Sequence, residues 1–255
     1  MVAAPITQLW RYPVKSLGGE RLDSTEISDV IPGDRDWGIF DTESGNLLSA
    51  KTVPALLMGS ARLDGERCLI STPGGETASD AADVDAVLSA WLGRSVALRH
   101  TTEGEQSTIA IEWDEGQDEL PDEVPVFEFP TQPGWFYDST SSLHIIGTGT
   151  LAHVEANVGP GAGAVERFRP NIVIETDAPH VEEQWVDQVL AIGSATAWVK
   201  KPTDRCVLIT RALPGQEAGR GALRFLAKDN DRNAGISAQP RQAGTVRVGD
   251  VISVA

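Results

Sequence analysis

Short runs in which β-branched, aliphatic and aromatic residues alternate with polar ones dominate the chain, each closed by a turn rich in Gly, Pro or Asp. Residues 6–12 (ITQLWRY) form the first run and stop at Pro13, the composition of a strand. Residues 37–40 and 46–50 flank Glu43-Ser44-Gly45, and residues 56–63 and 67–71 flank Asp64-Gly65, so each pair reads as a hairpin. From Asp80 to Leu92 the period changes: Val84, Val87, Leu88, Trp91 and Leu92 repeat at helical spacing. Asp80 serves as the expected N-cap and Gly93 as the stop. Residues 95–99 (SVALR) read as one more strand.

A second set of runs begins with residues 143–146 (LHII). A helix is expected from about Thr148 to Asn157, ended by Gly159-Pro-Gly-Ala-Gly163, which reads as a linker. Strands are expected at 172–175, 188–192, 195–199 and 206–210, and two more about Gly249-Asp250. Many short strands with few helices predict a mainly β (α+β) barrel or sandwich architecture, not a parallel α/β sheet.

Charge divides these two sets. No Lys or Arg occurs between Arg99 and Arg167, while residues 100–166 carry thirteen Asp and Glu. Most of those carboxylates precede Phe129, in a Pro-containing run from Glu112 to Glu128 that reads as an exposed linker or edge excursion. The expected organisation is therefore a β-rich N-terminal unit over 1–100, an acidic linker over 101–125 and a second unit over 126–255.

The 255 residues are 41 % hydrophobic, enough for a sizeable core, and carry a net charge of −16. Such a field repels phosphates, which argues against general nucleic-acid or anionic-membrane binding. No run is apolar for the roughly 18 residues a spanning helix needs, and residues 1–5 lack the basic start of a signal peptide. Two cysteines, Cys68 and Cys206, build no disulfide framework and fit a reducing, cytoplasmic setting.

On so acidic a chain, local cationic clusters stand out. Lys200-Lys-Pro-Thr-Asp-Arg-Cys206 places Arg205 beside Cys206, and a neighbouring cation favours thiolate over thiol. A thiolate suits a thiophilic metal or nucleophilic chemistry; the alternative is a small buried hydrophobe at a strand start. No Cys or His is spaced to join Cys206 in a zinc centre. Arg167-Phe-Arg-Pro-Asn171 offers planar forks for phosphate oxygens and an amide for a heterocycle edge; surface pairing with acidic neighbours is the other reading. Lys15 and Ser16, with Gly18-Gly19 behind them, suit an anion, and equally suit an ordinary strand-end loop. Arg35, between Asp34 and Asp36, reads as a local ion pair. The four histidines show no metal spacing, and His144 and His153 read as packing or surface residues. No serine-hydrolase elbow or phosphate-binding P-loop occurs.

Taken in order, five short motifs resemble the MOSC family, of the molybdenum-cofactor-sulfurase C-terminal type, in the form with an N-terminal β-rich companion domain. They are Leu9-Trp-Arg-Tyr-Pro-Val-Lys-Ser16, Gly33-Asp-Arg-Asp-Trp37 with Leu48-Ser-Ala-Lys51, Phe168-Arg-Pro-Asn-Ile172, Arg205-Cys206 and Val246-Arg-Val-Gly-Asp250. The resemblance spans nearly the whole chain and implies a β-barrel MOSC domain packed on a smaller N-terminal β-rich domain, with few short helices. It implies Cys206 as the protein ligand to molybdenum in a molybdopterin-type molybdenum cofactor. Lys15, Ser16, Arg35 and Arg169 become candidates for the pterin phosphate, with Thr148, Asn171, Asp204 and Arg205 as further cofactor contacts. Asp204 stands where amidoxime-reducing members have serine, and a carboxylate there repels phosphate unless it points at Arg205 or a backbone amide.

The mitochondrial amidoxime-reducing component and its bacterial relatives are similar. Their likeness implies an oxidoreductase that reduces small N-hydroxylated compounds with electrons from a separate donor protein; the charge and the lack of a spanning run add that neither nucleic acid nor membrane is an expected partner. No pyridoxal-phosphate half, as in the fused sulfurases, is expected. Three other functions use the same residues or fewer: a sulfur carrier with a Cys206 persulfide, a non-catalytic module that stores or delivers the cofactor, and a structural protein needing none.

Overall fold

The computed structural model describes residues 3–102, 105–112, 126–132, 134–136 and 141–255. Seventeen strands and four α-helices are present among them. The first unit contains β1 (Ala4–Arg11), β2 (Glu20–Leu22), β3 (Ser24–Ile27), β4 (Trp37–Asp41), β5 (Ser60–Asp64), β6 (Arg67–Thr72), β7 (Gly75–Ala78), α1 (Val84–Leu92), β8 (Val96–His100) and β9 (Ser107–Glu112). After it come β10 (Val126–Thr131), β11 (Leu143–Gly147), α2 (Thr148–Val158), α3 (Val165–Phe168), β12 (Ile172–Ile174), β13 (Val189–Ile192) and β14 (Ala195–Asp204). The chain closes with α4 (Gly221–Asp229), β15 (Asn233–Gln242), β16 (Gly244–Arg247) and β17 (Val251–Val254).

Seven strands form a closed barrel in the order β1-β12-β11-β15-β14-β13-β17, with β17 pairing back to β1 and β2 added outside β1. The pairings are antiparallel except β11 with β12. Closure leaves no free edge in the ring. Its interior follows from strand alternation: Ala195, Ala197 and Val199 of β14 point inward and meet Ile236 and Ala238 of β15. On β1 the register shifts between Ile6 and Gln8. The bulge changes which residues face in: Ala4 and Ile6 lie in the barrel core, then Leu9, which frees Trp10 and Tyr12 to pack outside it with α2 and α4.

A second core lies under β5, β6 and α1, where Leu56, Ile70 and Leu88 meet Val14 and Leu17 from the loop after β1. The first strand of the expected 1–100 unit thus closes the barrel of the second, and β3 pairs with β16. No described helix is long and apolar enough to cross a membrane.

Several sequence expectations are corrected here. Residues 206–210 are not a strand: Cys206 is the N-cap of a 3-10 helix over Val207–Thr210. The preceding strand runs to Asp204 by bulging around Pro202, so the chain must turn at Arg205, whose N–H donates to Arg232 O at 2.8 Å. The apolar alternation of 207–209 serves two cores: Leu208 packs toward the first unit and Ile209 toward α2 and α4. Residues 37–40 and 46–50 meet at Phe40 and Leu47, but the main partner of β4 is β8. Residues 54–58 are a 3-10 helix, so the second hairpin is β5–β6 alone. Helix α1 starts after Asp83, with no side-chain cap. Of the acidic run expected as a linker, 113–125 lies outside the described residues, and β9 and β10 pair on its two sides.

Candidate functional site

The site starts in the loop that follows β1. Arg35 N–H donates to Tyr12 O at 2.8 Å, Trp37 N–H to Pro13 O at 3.0 Å and Lys15 N–H to Trp37 O at 2.9 Å. These bonds zip residues 12–15 onto residues 35–37. Asp34 fastens the junction from beneath. It is 1 % exposed and accepts from Tyr12 N–H at 2.7 Å, from Asn171 Nδ2 at 3.0 Å and from the Arg35 guanidinium. A buried carboxylate so supplied is stably held.

On this frame Lys15, Arg35, Lys51 and Arg169 surround a cavity of about 120 Å³, with Ser16 and Ser49 in its wall and Ile109, Ile111 and Leu208 as its apolar part. No carboxylate is among these lining residues. Ser16, Arg35 and Arg169 all have left-handed backbone, with φ of 72°, 61° and 53°. Non-glycine residues adopt that region at a cost, and such outliers gather at functional sites. The Arg35 and Arg169 guanidinium carbons lie 5.2 and 4.3 Å from the centre of the Tyr12 ring, cation–π contacts that orient both. Arg169 also donates to Leu17 O, and Ser16 Oγ accepts from Ala50 N–H at 3.0 Å.

The crowding shows in Lys15. Burial first, then repulsion from Arg35, Lys51 and Arg169, push its ammonium down to about 7, although Nζ donates to Trp135 O at 2.8 Å. Burial is also the main cause that lowers Arg169 and Arg205 to about 10, still charged at neutral pH. A bound anion would relieve the repulsion.

Cys206 is half-buried and lies within electrostatic range of both Lys15 and Arg205. Cys68 differs: it is buried in the first unit, and burial pushes its thiol up to about 12, leaving it inert. Arg205 is held by Phe168 O at 2.6 Å and lies 3.2 Å from His144 Nε2. Burial, then the Arg205 charge, hold His144 well below the usual imidazole range and so neutral. Among the described residues, Arg205 Nε and Trp135 Nε1 are buried without a hydrogen-bond partner.

The structure therefore brings Lys15, Ser16, Arg35 and Arg169 to one cavity, with Cys206 in electrostatic range. Asn171 and Arg205 lie beneath. The Asn171 amide is consumed internally, donating to Asp34 and accepting from His144 N–H at 3.2 Å, so it supports the site from within. Thr148 is elsewhere: it follows β11, about 13 Å of strand from His144, and exchanges hydrogen bonds with Thr176. The Asp204 side chain is 64 % exposed and faces Arg232 Nε at 3.8 Å, and Asp204 is not among the residues that line the cavity. Sequence reasoning missed Asp34, Tyr12, Ser49 and Lys51 as site residues. Lys51 stood in a quoted motif, but the fold supplies its position.

A neighbouring cleft of about 300 Å³ shares Arg169. Its walls include Trp10, Tyr12, Leu57 and Leu213. Gly19 lines it because a Cβ there would lie 2.3 Å from Arg11 O and 2.6 Å from the Tyr12 ring. The 120 Å³ cavity is below the roughly 300 Å³ at which whole-ligand pockets begin, whereas this cleft reaches that size. The donor set thus fits a ligand with a compact anionic end and a larger planar body, beside one accessible thiol.

Residues 119–253 match the MOSC domain family, and residues 3–107 match the MOSC N-terminal beta barrel domain. Among solved structures, the YuaD protein from Bacillus subtilis is similar over 98 % of this chain and 94 % of its own, with a TM-score of 0.50 at 12 % identity. YiiM from Geobacillus stearothermophilus is similar over 46 % of this chain and 55 % of its own, with a TM-score of 0.34 at 16 % identity. No curated protein matches. The two matched segments cover nearly all of the motifs, the barrel and the cationic cavity, and the chain belongs to the MOSC domain family, with a MOSC N-terminal beta barrel domain ahead of the MOSC domain.

Proposed function

We propose that this protein binds a molybdopterin-type molybdenum cofactor and uses it to reduce small N-hydroxylated compounds, with electrons from a separate donor protein. MOSC domains are associated with molybdenum cofactor binding. The observation that carries the reading is the four-cation cavity with no carboxylate among its described lining residues, on a chain of net charge −16. Lys15, Ser16, Arg35, Lys51 and Arg169 would hold the phosphate end. Arginine forks match phosphate oxygens, and lysine adds a compact charge. The cleft lined by Trp10, Tyr12 and Leu213 offers apolar walls for the planar body. Cys206 supplies the soft thiolate that a molybdenum centre takes as ligand.

When bound, the cofactor supplies two-electron chemistry that the protein's own side chains lack. The chain's residues do the rest. The cations neutralise the phosphate, which returns Lys15 to its protonated form. Asp34 and the Tyr12 ring fix Arg35 and Arg169, so little reorganisation accompanies binding. His144, held neutral, adds no charge beside Arg205. The net reaction on an amidoxime takes two electrons from the donor and two protons, breaks the N–O bond, and releases an amidine and water.

The test uses cofactor-loaded protein, reduced methyl viologen as electron source and benzamidoxime as probe. Benzamidine formed at a rate that depends on protein, and lost in Cys206→Ala, is expected. A loaded protein that forms none would overturn the reductase reading and leave cofactor storage or delivery.

A further inference from the structure

The strongest feature outside the cavity joins three segments far apart in sequence. His153 lies on α2, His180 precedes the 3-10 helix over Val181–Trp185, and Asp229 ends α4. One ligand atom from each lies within 4.8 Å of the others. Asp229 Oδ2 is 3.2 Å from His153 Nε2 and 3.1 Å from His180 Nε2. Ligand atoms on a tetrahedral zinc ion with bonds near 2.05 Å are about 3.3 Å apart, so both spacings already match an edge of that tetrahedron.

The surroundings favour a cation. Glu183 Oε1 is 3.5 Å from His180 Nδ1. Asn230 Nδ2 also lies 3.0 Å from His180 Nδ1, so Glu183 and Asn230 occupy the Nδ1 side of the ring while Nε2 faces Asp229. Asn230 Nδ2 donates to Glu183 Oε1 at 2.7 Å and fixes that carboxylate. The His153 ring is set by the edge of Phe225, with centroids 5.2 Å apart. His180 takes a left-handed φ of 59°, and its Nε2 faces Asp229. The one lysine next in sequence, Lys228, is exposed.

We propose that His153, His180 and Asp229 form a binding site for a divalent transition-metal ion of the zinc class, separate from Cys206. Two imidazoles and a carboxylate are borderline donors that suit zinc or cobalt over magnesium or calcium. Three protein ligands leave a fourth position for water. The ion would clip α2, α4 and the loop before the 3-10 helix together, and would stabilise the fold by mass action.

The test is metal stoichiometry on the full chain, stripped with chelator and equilibrated with zinc, then repeated with cobalt for its visible absorption. The His153→Gln/His180→Gln double variant and the isosteric Asp229→Asn are compared with the parent, each shown folded by circular dichroism. The proposal expects the parent to bind one zinc more than the double variant, and its unfolding midpoint to rise with zinc while that of the variant does not. It also expects intense cobalt bands of a tetrahedral nitrogen–oxygen site in the parent, weakened in Asp229→Asn. Equal zinc in parent and folded double variant, or none in either, would overturn it. Cysteine-bound metal is recognised separately, since it persists in the double histidine variant and in Asp229→Asn and disappears in Cys206→Ala.

Discussion

Lys15 is where the character of the cavity can be measured on a single residue. Its folded pKa is about 7 against an ordinary 10.5. Between those values the unfolded chain binds a proton that the folded chain does not, so this group's share of stability increases as pH rises through the window. Below 7 both states are protonated and the full cost of the buried charge is present. Lys15→Met abolishes this dependence. The unfolding midpoint of the variant minus that of the parent should therefore be largest near pH 6.5 and shrink steadily toward pH 10; a pH-independent difference contradicts the burial. Arg169 tests the anion side. Arg169→Ala should lower retention of cofactor or inorganic phosphate at least about tenfold, the loss of one charge-assisted contact. Arg62→Ala should leave it unchanged, since Arg62 lies at the surface, paired with Glu76. Arg167 and Arg169, and less sharply Lys15 and Ser16, stand out in the sequence as local cationic stretches on an acidic chain, whereas Arg35 reads as a local ion pair and becomes a candidate only through the family resemblance. Asp34 was read only as a salt-bridge neighbour. Its bonds to Tyr12 and Asn171 cross long sequence separations that no local pattern records. Asp34→Ala should cost about 3 kcal/mol in urea unfolding, because it leaves several buried donors without an acceptor.

Elements with a clean period were readable, and those shaped by tertiary contact were not. Helices α1 and α2 carry a helical period and end at Gly93 and Gly159. The first half of strand β14, Ala195 to Val199, alternates buried and half-buried positions. In contrast β15, with Gly235, Ala234, Ala238 and Pro240, has little intrinsic β preference, yet it sits between β11 and β14 in the barrel. Gly235 explains the choice. Its φ is +78°, and a Cβ would lie 2.6 Å from both His144 Nε2 and Ile145 O. Gly235→Ala should destabilise by about 2 kcal/mol or more, from strain and clash together, measured by chemical denaturation. It should also displace His144 from Arg205, seen as a changed imidazole titration by NMR. Helix α4 was missed for a similar reason: its amphipathic face is short, and it is completed by α2 and by Trp10 and Tyr12 from β1. The strand expected at 206–210 failed because its apolar residues divide between two cores, a division visible only once the cores exist.

At the scale of the whole molecule, β1 ties the two matched segments together. It fills the gap between β12 and β17, and its following loop carries Lys15 and Ser16 into the cavity that Arg169 reaches from the other segment. Barrel and site are thus closed by the same stretch of chain. A fragment of residues 126–255 should lack a cooperative unfolding transition, and co-expression with residues 1–125 should restore it; a stable, cooperative fragment contradicts the closure. The same geometry sets a local positive field in a protein of net charge −16, which attracts a compact anion and repels extended ones. The central claim is that this cavity and Cys206 hold a molybdenum cofactor. The most direct measurement is molybdenum per chain, by elemental mass spectrometry, on protein from cells supplied with molybdate and able to make the pterin. A value near one, lost in a folded Cys206→Ala variant, is the expected result. No molybdenum in the parent, or a full complement in that variant, would contradict it.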